Sequence, residues 1–173
     1  MEFVDKFTFI NAARETAPVN VHLLCLALGV DIHEVPLPVH TTGQIECNRG
    51  KRYVIKINSE DSDTRKRFTI AHALGHWVYH RPVMGAGICD SRVYTSIPSA
   101  TFHNRRIGLK EEIQANKFAA RLLMPEALIY AYQDKRVTDP ATLAALFGVS
   151  EATMKIRLGA MTALQYLCKS THI

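Results

Sequence analysis

The sequence predicts an α+β fold: a small N-terminal antiparallel sheet lies against a mainly helical core, and a C-terminal helical hairpin follows. Three observations support this prediction. Segments rich in β-branched residues lie between glycines and prolines in the first 60 residues, helical patterns occupy residues 62–80 and 109–123, and a further helical signature begins near residue 139. We expect residues 1–136 to form one domain and residues 137–173 to form the hairpin packed on it.

The N-terminal third is expected to contain one helix and three strands. Residues 19–28 follow Pro18, are apolar on nearly every side and stop at Gly29, which predicts a buried helix. Three extended segments follow, each bounded by glycine or proline. These predicted strands cover residues 30–35, 43–47 and 52–57.

The middle of the chain contains two helices joined by a long irregular segment. Residues 62–80 have helical spacing, with Ser62 available as the cap. Residues 81–108 contain several glycines and prolines and no sustained period, which predicts a loop long enough to be functional or mobile. Residues 109–123 return to helical spacing, and Pro125 ends that helix and opens another.

The composition is that of an ordinary globular domain, with 47% hydrophobic and 21% charged residues among 173. Lysine and arginine outnumber aspartate and glutamate by 21 to 16, a formal charge of +5. Because this excess is modest and spread along the chain, we expect any direct DNA binding to be weak and driven by general electrostatics.

The cysteines and the apolar segments favour a cytoplasmic protein. The four cysteines are scattered and form no CxxC pair, which argues against a thiolate metal cage and a dense disulfide framework. The first residues lack the basic start and the cleavage site of a secretory signal. No apolar run approaches the thickness of a bilayer, so we expect no membrane association.

Two histidines indicate a metal site on the helix at residues 62–80. His72 and His76 stand four residues apart in FTIAHALGHWVYH, so a helix places both imidazoles on one face, where they can bind one ion. Ile70 and Leu74 fall on the opposite face, which we expect to pack on the core while the histidines face a cleft. Gly75 would let another element approach closely. A lone HxxxH pair is more often a surface or core feature, and its context must decide.

Glu112, in KEEIQANKFAARLLMP, is the best candidate for a third ligand. Small alanines would let its helix lie close to the histidine helix, although an acidic first turn alone is equally explained by the helix dipole. Asn116, one turn further on, is placed to orient a ligand through its amide. His80 extends the histidine row, but it lies about 12 Å along the axis from His72 and is therefore a residue that supports a ligand or packs.

Two histidines and one carboxylate leave the fourth position of a zinc ion open, as in catalytic sites. A hydrolase of this type needs a carboxylate directly after the first ligand, where it takes a proton from water and passes it to the leaving amine. Here that residue is Ala73, whose methyl group can do neither. The sequence therefore predicts a protein that binds zinc but has very little peptidase activity.

The segments FTIAHALGHWVYH and EIQANKFAARLLMP together resemble the ImmA/IrrE family of zinc metallopeptidases, within the HExxH-plus-glutamate group. The likeness runs from about Val19 through LAALFGVSEATMKIRL near the C-terminus. The resemblance implies a zincin-like core and assigns the zinc ligands to His72, His76 and Glu112. It also places the family's catalytic glutamate at Ala73.

The resemblance further implies an endopeptidase that acts on or with a helix-turn-helix repressor in a phage or mobile-element switch. Some members behave as toxins restrained by that partner, so a toxin–antitoxin pair is one implied setting. Ala73 then has two explanations: an introduced inactivating substitution, or a natural pseudoenzyme that keeps its metal site. Because the rest of both motifs is intact, we favour the introduced change.

Two other classes of function compete with the peptidase. Asp139 and Pro140 start a helix that breaks at Gly148 and restarts from Ser150, so residues 143–158 have the layout of a DNA-binding helix-turn-helix. A helical hairpin packed on the core is the simpler interpretation, because few basic residues reinforce the second helix. In the third class, zinc only stabilises a partner-binding surface and the protein is not catalytic.

Overall fold

The structure is a computed structural model that describes residues 5–48, 52–85, 87–91 and 106–170. The helices are α1 (Lys6–Ala13), α2 (Val21–Ala27), α3 (Asp63–Tyr79), α4 (Arg81–Met84), α5 (Leu109–Leu123), α6 (Glu126–Asp134), α7 (Pro140–Phe147) and α8 (Glu151–Ser170). The strands are β1 (Val30–Val35), β2 (Thr41–Cys47), β3 (Tyr53–Asn58) and β4 (Gly87–Ser91). The predicted α+β class is confirmed. Within these described ranges, no helix is both long and apolar enough to cross a bilayer.

The sheet has the strand order β1-β3-β2-β4 and is mixed, so the predicted antiparallel arrangement is wrong for one pair. Strands β2 and β3 pair antiparallel, as do β2 and β4, whereas β1 runs parallel to β3 with Val30 opposite Tyr53. The sequence pattern predicts the strands but not the direction in which they pair, because that direction depends on the order of the strands in the sheet. After β1, the chain passes the position that β3 will occupy before it enters β2.

Part of the segment predicted as a loop, residues 81–108, is regular. It contains the short helix α4 and the edge strand β4, while residues 92–105 lie outside the described chain. A side chain at Gly87 would place its Cβ 2.5 Å from the carbonyl oxygen of Ile45. The glycine that looked like a loop signal is therefore a requirement for close strand pairing.

The C-terminal helices follow the predicted start and stop signals. Asp139 caps α7 by accepting a hydrogen bond from the backbone N–H of Thr142 at 2.8 Å, and Gly148 ends it in the left-handed region. The second helix of the hairpin continues to residue 170, well beyond the predicted end near Leu158. The guanidinium of Arg67, on α3, donates to the Gly148 carbonyl at 3.0 Å and joins the hairpin to the core.

Helix α3 is the centre of the molecule. Every residue from Thr69 to Val78 is buried, because the sheet covers one side and α5 covers the other. The expected division into a core face and an open ligand face is therefore incomplete, since α5 also packs over the histidine side. The amphipathic pattern could not reveal this, because alanine and glycine allow close helix packing without adding a hydrophobic stripe.

Candidate metal centre

The geometry of the site begins with a close approach of α3 and α5. A Cβ on Gly75 would lie 2.9 Å from the Ala115 Cα and 3.0 Å from its carbonyl oxygen. Only glycine allows the two backbones to come this near, as its position between the two histidines suggested. The contact lies one turn from Glu112 and brings its side chain to the histidine face of α3.

Three donor groups converge at this contact. The Nε2 atoms of His72 and His76 lie 3.1 Å apart, and the Glu112 carboxylate oxygens lie 3.3 Å from the first and 3.5 Å from the second. A tetrahedral zinc ion with bonds of about 2.0–2.1 Å requires its ligand atoms to lie about 3.3–3.4 Å apart. The spacing of the three donors therefore fits one face of a zinc coordination tetrahedron.

Hydrogen bonds on the far side of the His72 ring determine which nitrogen faces the site. His72 Nδ1 lies 3.0 Å from Asn116 Oδ1, and an amide oxygen can only accept. Nδ1 therefore carries the proton, which leaves the Nε2 lone pair of the neutral ring directed at the other donors. This contact is the one that the position of Asn116, one turn after Glu112, led us to expect.

A longer chain of hydrogen bonds orients His76. His80 Nε2 lies 3.1 Å from Gln114 Oε1 and must donate to it, so a neutral His80 has its lone pair on Nδ1. That Nδ1 lies 3.1 Å from His76 Nδ1, which is then the donor. The chain runs from His76 through His80 to Gln114 and leaves the His76 Nε2 lone pair facing the site. His80 therefore lies behind His76 and outside the donor cluster.

The role of Gln114 was missed in the sequence. Its only signal is its position two residues after Glu112, on a helix already expected to pack against α3. Whether it meets His80 depends on the rotation of α5 about its own axis, which the spacing of residues does not specify.

Two imidazole lone pairs and a carboxylate thus face one another in a largely buried place. Three acceptors at these distances repel unless a cation or protons lie between them. Within the part of the chain that the structure describes, His72, His76 and Glu112 are the group of donors suited to an ion. The chemistry of the donor set, two nitrogens and one carboxylate oxygen, suits zinc.

The ionisation states of His76 and Glu112 suit the binding of a cation. Burial lowers the pKa of His76, so the ring is neutral near pH 7. Burial raises the pKa of Glu112, but its contacts with the His72 and His76 rings outweigh burial and lower the value to about 2. Metal ligands must be a neutral imidazole and an ionised carboxylate, and both conditions hold across the neutral range.

Ala73 follows the first histidine on α3 and is 6% exposed. Its methyl group provides neither a donor nor an acceptor, so the residue next to the donor cluster cannot transfer protons.

Comparison with known proteins identifies relatives of the chain. The family model Peptidase M78, described as the IrrE N-terminal-like domain, matches residues 25–159. A protein named "Uncharacterized immunity region protein 2" from Bacillus phage phi105 is 27% identical over 137 residues, which are 73% of this chain and 78% of the phage protein. The family match contains all the donor residues described above.

A solved structure shares the fold. A Mycobacterium tuberculosis transcriptional regulator superposes with a TM-score of 0.56 at 17% sequence identity, covering 86% of this chain. The chain spans 43% of the regulator's length, so more than half of that protein lies outside the match. At this identity the likeness establishes the fold alone.

Proposed function

We propose that this chain, which belongs to the Peptidase M78 (IrrE N-terminal-like) family, is a zinc metallo-endopeptidase held inactive by Ala73. The observation that carries the proposal is the convergence of His72, His76 and Glu112 within 4.8 Å, with both imidazole lone pairs directed at the carboxylate. Two nitrogens and one oxygen leave a coordination position for substrate, which distinguishes catalytic from structural zinc sites.

The residues have separate tasks in this proposal. His72, His76 and Glu112 hold the ion, while Asn116 and His80 hold the two rings in the tautomer that presents Nε2. Zinc bound there supplies Lewis-acid chemistry, polarising a peptide carbonyl and making water more acidic.

The missing task is proton transfer. The attacking water must lose a proton and the leaving amine must gain one, and a carboxylate at position 73 would do both in turn. Ala73 can do neither, so the present form binds metal and substrate without efficient cleavage.

We propose a helix-turn-helix repressor or antitoxin as the substrate or the inhibiting partner. Two findings support a regulatory setting: the phage relative is named for an immunity region, and the structural neighbour is named a transcriptional regulator. A toxin role within a toxin–antitoxin pair belongs to the same proposal. The fold and the metal site alone do not select a cleavage sequence, because substrate recognition depends on the surfaces around the site.

A second candidate function rests on Ala73 itself. If this residue is the natural one, the zinc site would serve stability, and the protein would act as a non-catalytic regulatory protein that binds a partner. The two candidates predict the same zinc content, but only the peptidase predicts that a glutamate at position 73 restores cleavage.

The test is the variant Ala73→Glu, with Ala73→Gln as a control of similar size that cannot accept a proton. We expect a neighbouring gene to encode a helix-turn-helix protein, and the glutamate variant to cleave that protein at about 10²–10⁴ times the rate of the present form. Both variants and the present form are incubated with that protein and with an unfolded peptide library, with and without a chelator. Fragments are mapped by mass spectrometry.

Cleavage by Ala73→Glu alone, abolished by the chelator, is the expected result. A glutamate variant that holds zinc and binds the neighbouring protein, yet yields no fragments from it, would exclude that protein as the substrate. If the peptide library also remains intact, the non-catalytic function replaces the peptidase proposal.

A further inference from the structure

A second cleft lies beside the metal centre, between α1 and α5. It has a volume of about 270 Å³ and is lined from α1 by Phe7 and Ile10, from the end of α1 by Arg14, and from α5 by Lys117 and Arg121. The lining that the structure describes contains three cationic side chains and no carboxylate. None of the three metal-donor residues lines this cleft, although Gln114, which accepts from His80, lies in its lining.

The three cations are held close together by the fold. Lys117 and Arg121 are four residues apart on α5, so their side chains project from the same face, an arrangement that destabilises an isolated helix. Arg14 faces them from α1, across the same cleft. Among the described residues, none of the three forms an ion pair with an acidic side chain.

The positive charge extends behind the cleft. Burial lowers the pKa of Arg157; Glu126 opposes this shift, and the charges of Arg121 and Arg14 add to it. Both cleft arginines therefore act on a third arginine through electrostatic repulsion. Such a concentration of like charge in one place costs stability unless an anion neutralises it.

One donor in the cleft also lacks an acceptor. The Nε–H of Arg14 is shielded from solvent and has no hydrogen-bond partner in the described chain. Buried donors are almost always satisfied, so an orphaned guanidinium N–H on a residue that lines a cationic cleft indicates a missing acceptor. Oxygen atoms of an oxyanion match the fork of donors that arginine presents.

The apolar residues of the lining determine what carries the anion. Phe7 and Ile10 from α1 and Phe118 from α5 form an apolar wall beside the cations, and Phe7 is 40% exposed. A bare inorganic ion would leave this wall in contact with water, whereas an aromatic or apolar group attached to the anion would cover it.

We propose that the cleft between α1 and α5 binds a small organic phosphate, with its dianion against Arg14, Lys117 and Arg121 and its apolar part against Phe7. This binding site shares Gln114 with the hydrogen-bond chain behind the metal centre. It makes no use of Ala73 or of the three donor residues.

The experiment measures binding of phenyl phosphate to the full chain by calorimetry at constant ionic strength. The test variant is Lys117→Gln with Arg121→Gln, and the control variant is Arg65→Gln with Lys110→Gln. The control removes the same charge from α3 and α5 at exposed positions outside the cleft. Inorganic phosphate and benzoate are titrated in parallel.

We expect one phenyl phosphate per chain, at least a tenfold loss of affinity in the test variant and less than a twofold change in the control. Inorganic phosphate should bind more weakly because it leaves the apolar wall uncovered, and benzoate should bind more weakly because it carries one charge. His72→Ala should bind phenyl phosphate as the parent does.

Four results would overturn the proposal. The first is the lack of saturable phenyl phosphate binding, and the second is an equal loss of affinity in the test and control variants. The third is loss of binding in His72→Ala, which would place the ligand at the metal centre. Equal affinity for benzoate and phenyl phosphate would reject the dianion as the recognised group.

Discussion

Proton positions decide which atoms of the three histidines can bind an ion. Asn116 accepts from His72, and Gln114 accepts from His80, which in turn accepts from His76. Each step is forced by an amide oxygen that cannot donate. The two amides therefore hold both metal-facing nitrogens as acceptors, although neither amide lies in the donor cluster.

At this scale we predict that the purified chain holds about one zinc ion, and that His72→Ala and Glu112→Ala bind it much more weakly. Removing one of three protein ligands leaves too few donors for a stable site. Ala73→Ser serves as the control, because position 73 does not contribute a ligand. Elemental analysis after reconstitution measures the stoichiometry, and a competing chelator measures the affinity. Zinc absent from the parent, or equally tight in the ligand variants, would show that the three residues are wrongly assigned.

The amide at the end of the chain provides a sharper prediction. Gln114→Leu removes the acceptor for His80 Nε2–H, so we expect a loss of zinc affinity of about 10–100-fold, the usual effect of removing such a partner. Gln114→Glu keeps an acceptor at the same place and should retain affinity close to that of the parent. Chelator competition on both variants measures the difference. Equal affinities in the leucine and glutamate variants would mean that Gln114 does not orient His76.

Sequence spacing predicts which residues form the candidate site, but it does not predict all the contacts between them. The four-residue spacing of His72 and His76 and the helix containing Glu112 are local features, and each can be recognised from periodicity. The contact between His80 and Gln114 joins two helices that are about 30 residues apart in the chain, and it depends on their relative rotation. For the same reason the sequence does not show that Arg157 is buried, at 8% exposed, and donates to the Met124 carbonyl.

At the scale of elements, the interface of α3 and α5 determines whether the ligands meet. Gly75→Ala would place a Cβ 2.9 Å from the Ala115 Cα, a backbone atom that cannot move independently of its helix. We expect the helices to separate, with a loss of about 1–3 kcal/mol in the free energy of unfolding and weaker zinc binding.

Gly159→Ala is the matched control for this prediction. Gly159 lies in α8, and a Cβ there would have no atom within 4 Å. This change should stabilise the chain by up to about 1 kcal/mol, because alanine has the higher helix propensity. Urea unfolding of the two variants measures both effects. A Gly75→Ala protein as stable as Gly159→Ala would show that the helices adjust without cost.

Element boundaries in this chain were predicted best where a capping residue marks them. Asp139 and Gly148 begin and end α7 as their types suggest, because caps act through bonds to nearby residues. Helix α1 was not anticipated, since its cap position, Asp5, makes no side-chain bond and Ile10 is its one buried residue. Strand β4 and the parallel pairing of β1 depend on distant partners and had no local signal.

For the whole molecule, the distribution of charge argues against specific DNA recognition. In the proposed recognition helix, the Ser150 hydroxyl accepts from the Thr153 N–H at 3.1 Å, and Lys155 pairs with Glu151 at 2.6 Å. Arg157 is buried and donates to the Met124 carbonyl. The side chains that would read base edges are therefore bonded within the protein.

We predict weak DNA binding without sequence preference, falling steeply between about 50 and 200 mM salt because it rests on phosphate contacts. Lys155→Gln should have little effect. Fluorescence anisotropy with two unrelated duplexes, repeated at three salt concentrations, measures both properties. Tight, selective binding at physiological salt that is lost in Lys155→Gln would make residues 143–158 a DNA-binding element.

The separation of the donor residues in the sequence also determines how strongly a bound ion would restrict the unfolded chain. His72 and Glu112 are 40 positions apart, 112 minus 72, so an ion that joins them ties two distant points of the chain together. In an unfolded chain such a tie would remove conformational entropy worth roughly 4 kcal/mol at room temperature, by analogy with a disulfide closing a loop of that size. Because this cost grows with the logarithm of loop length, doubling the enclosed segment would change it by only about 0.6 kcal/mol. The segment between the two donor helices can therefore lengthen or diverge while the stabilising effect of the ion is almost unchanged.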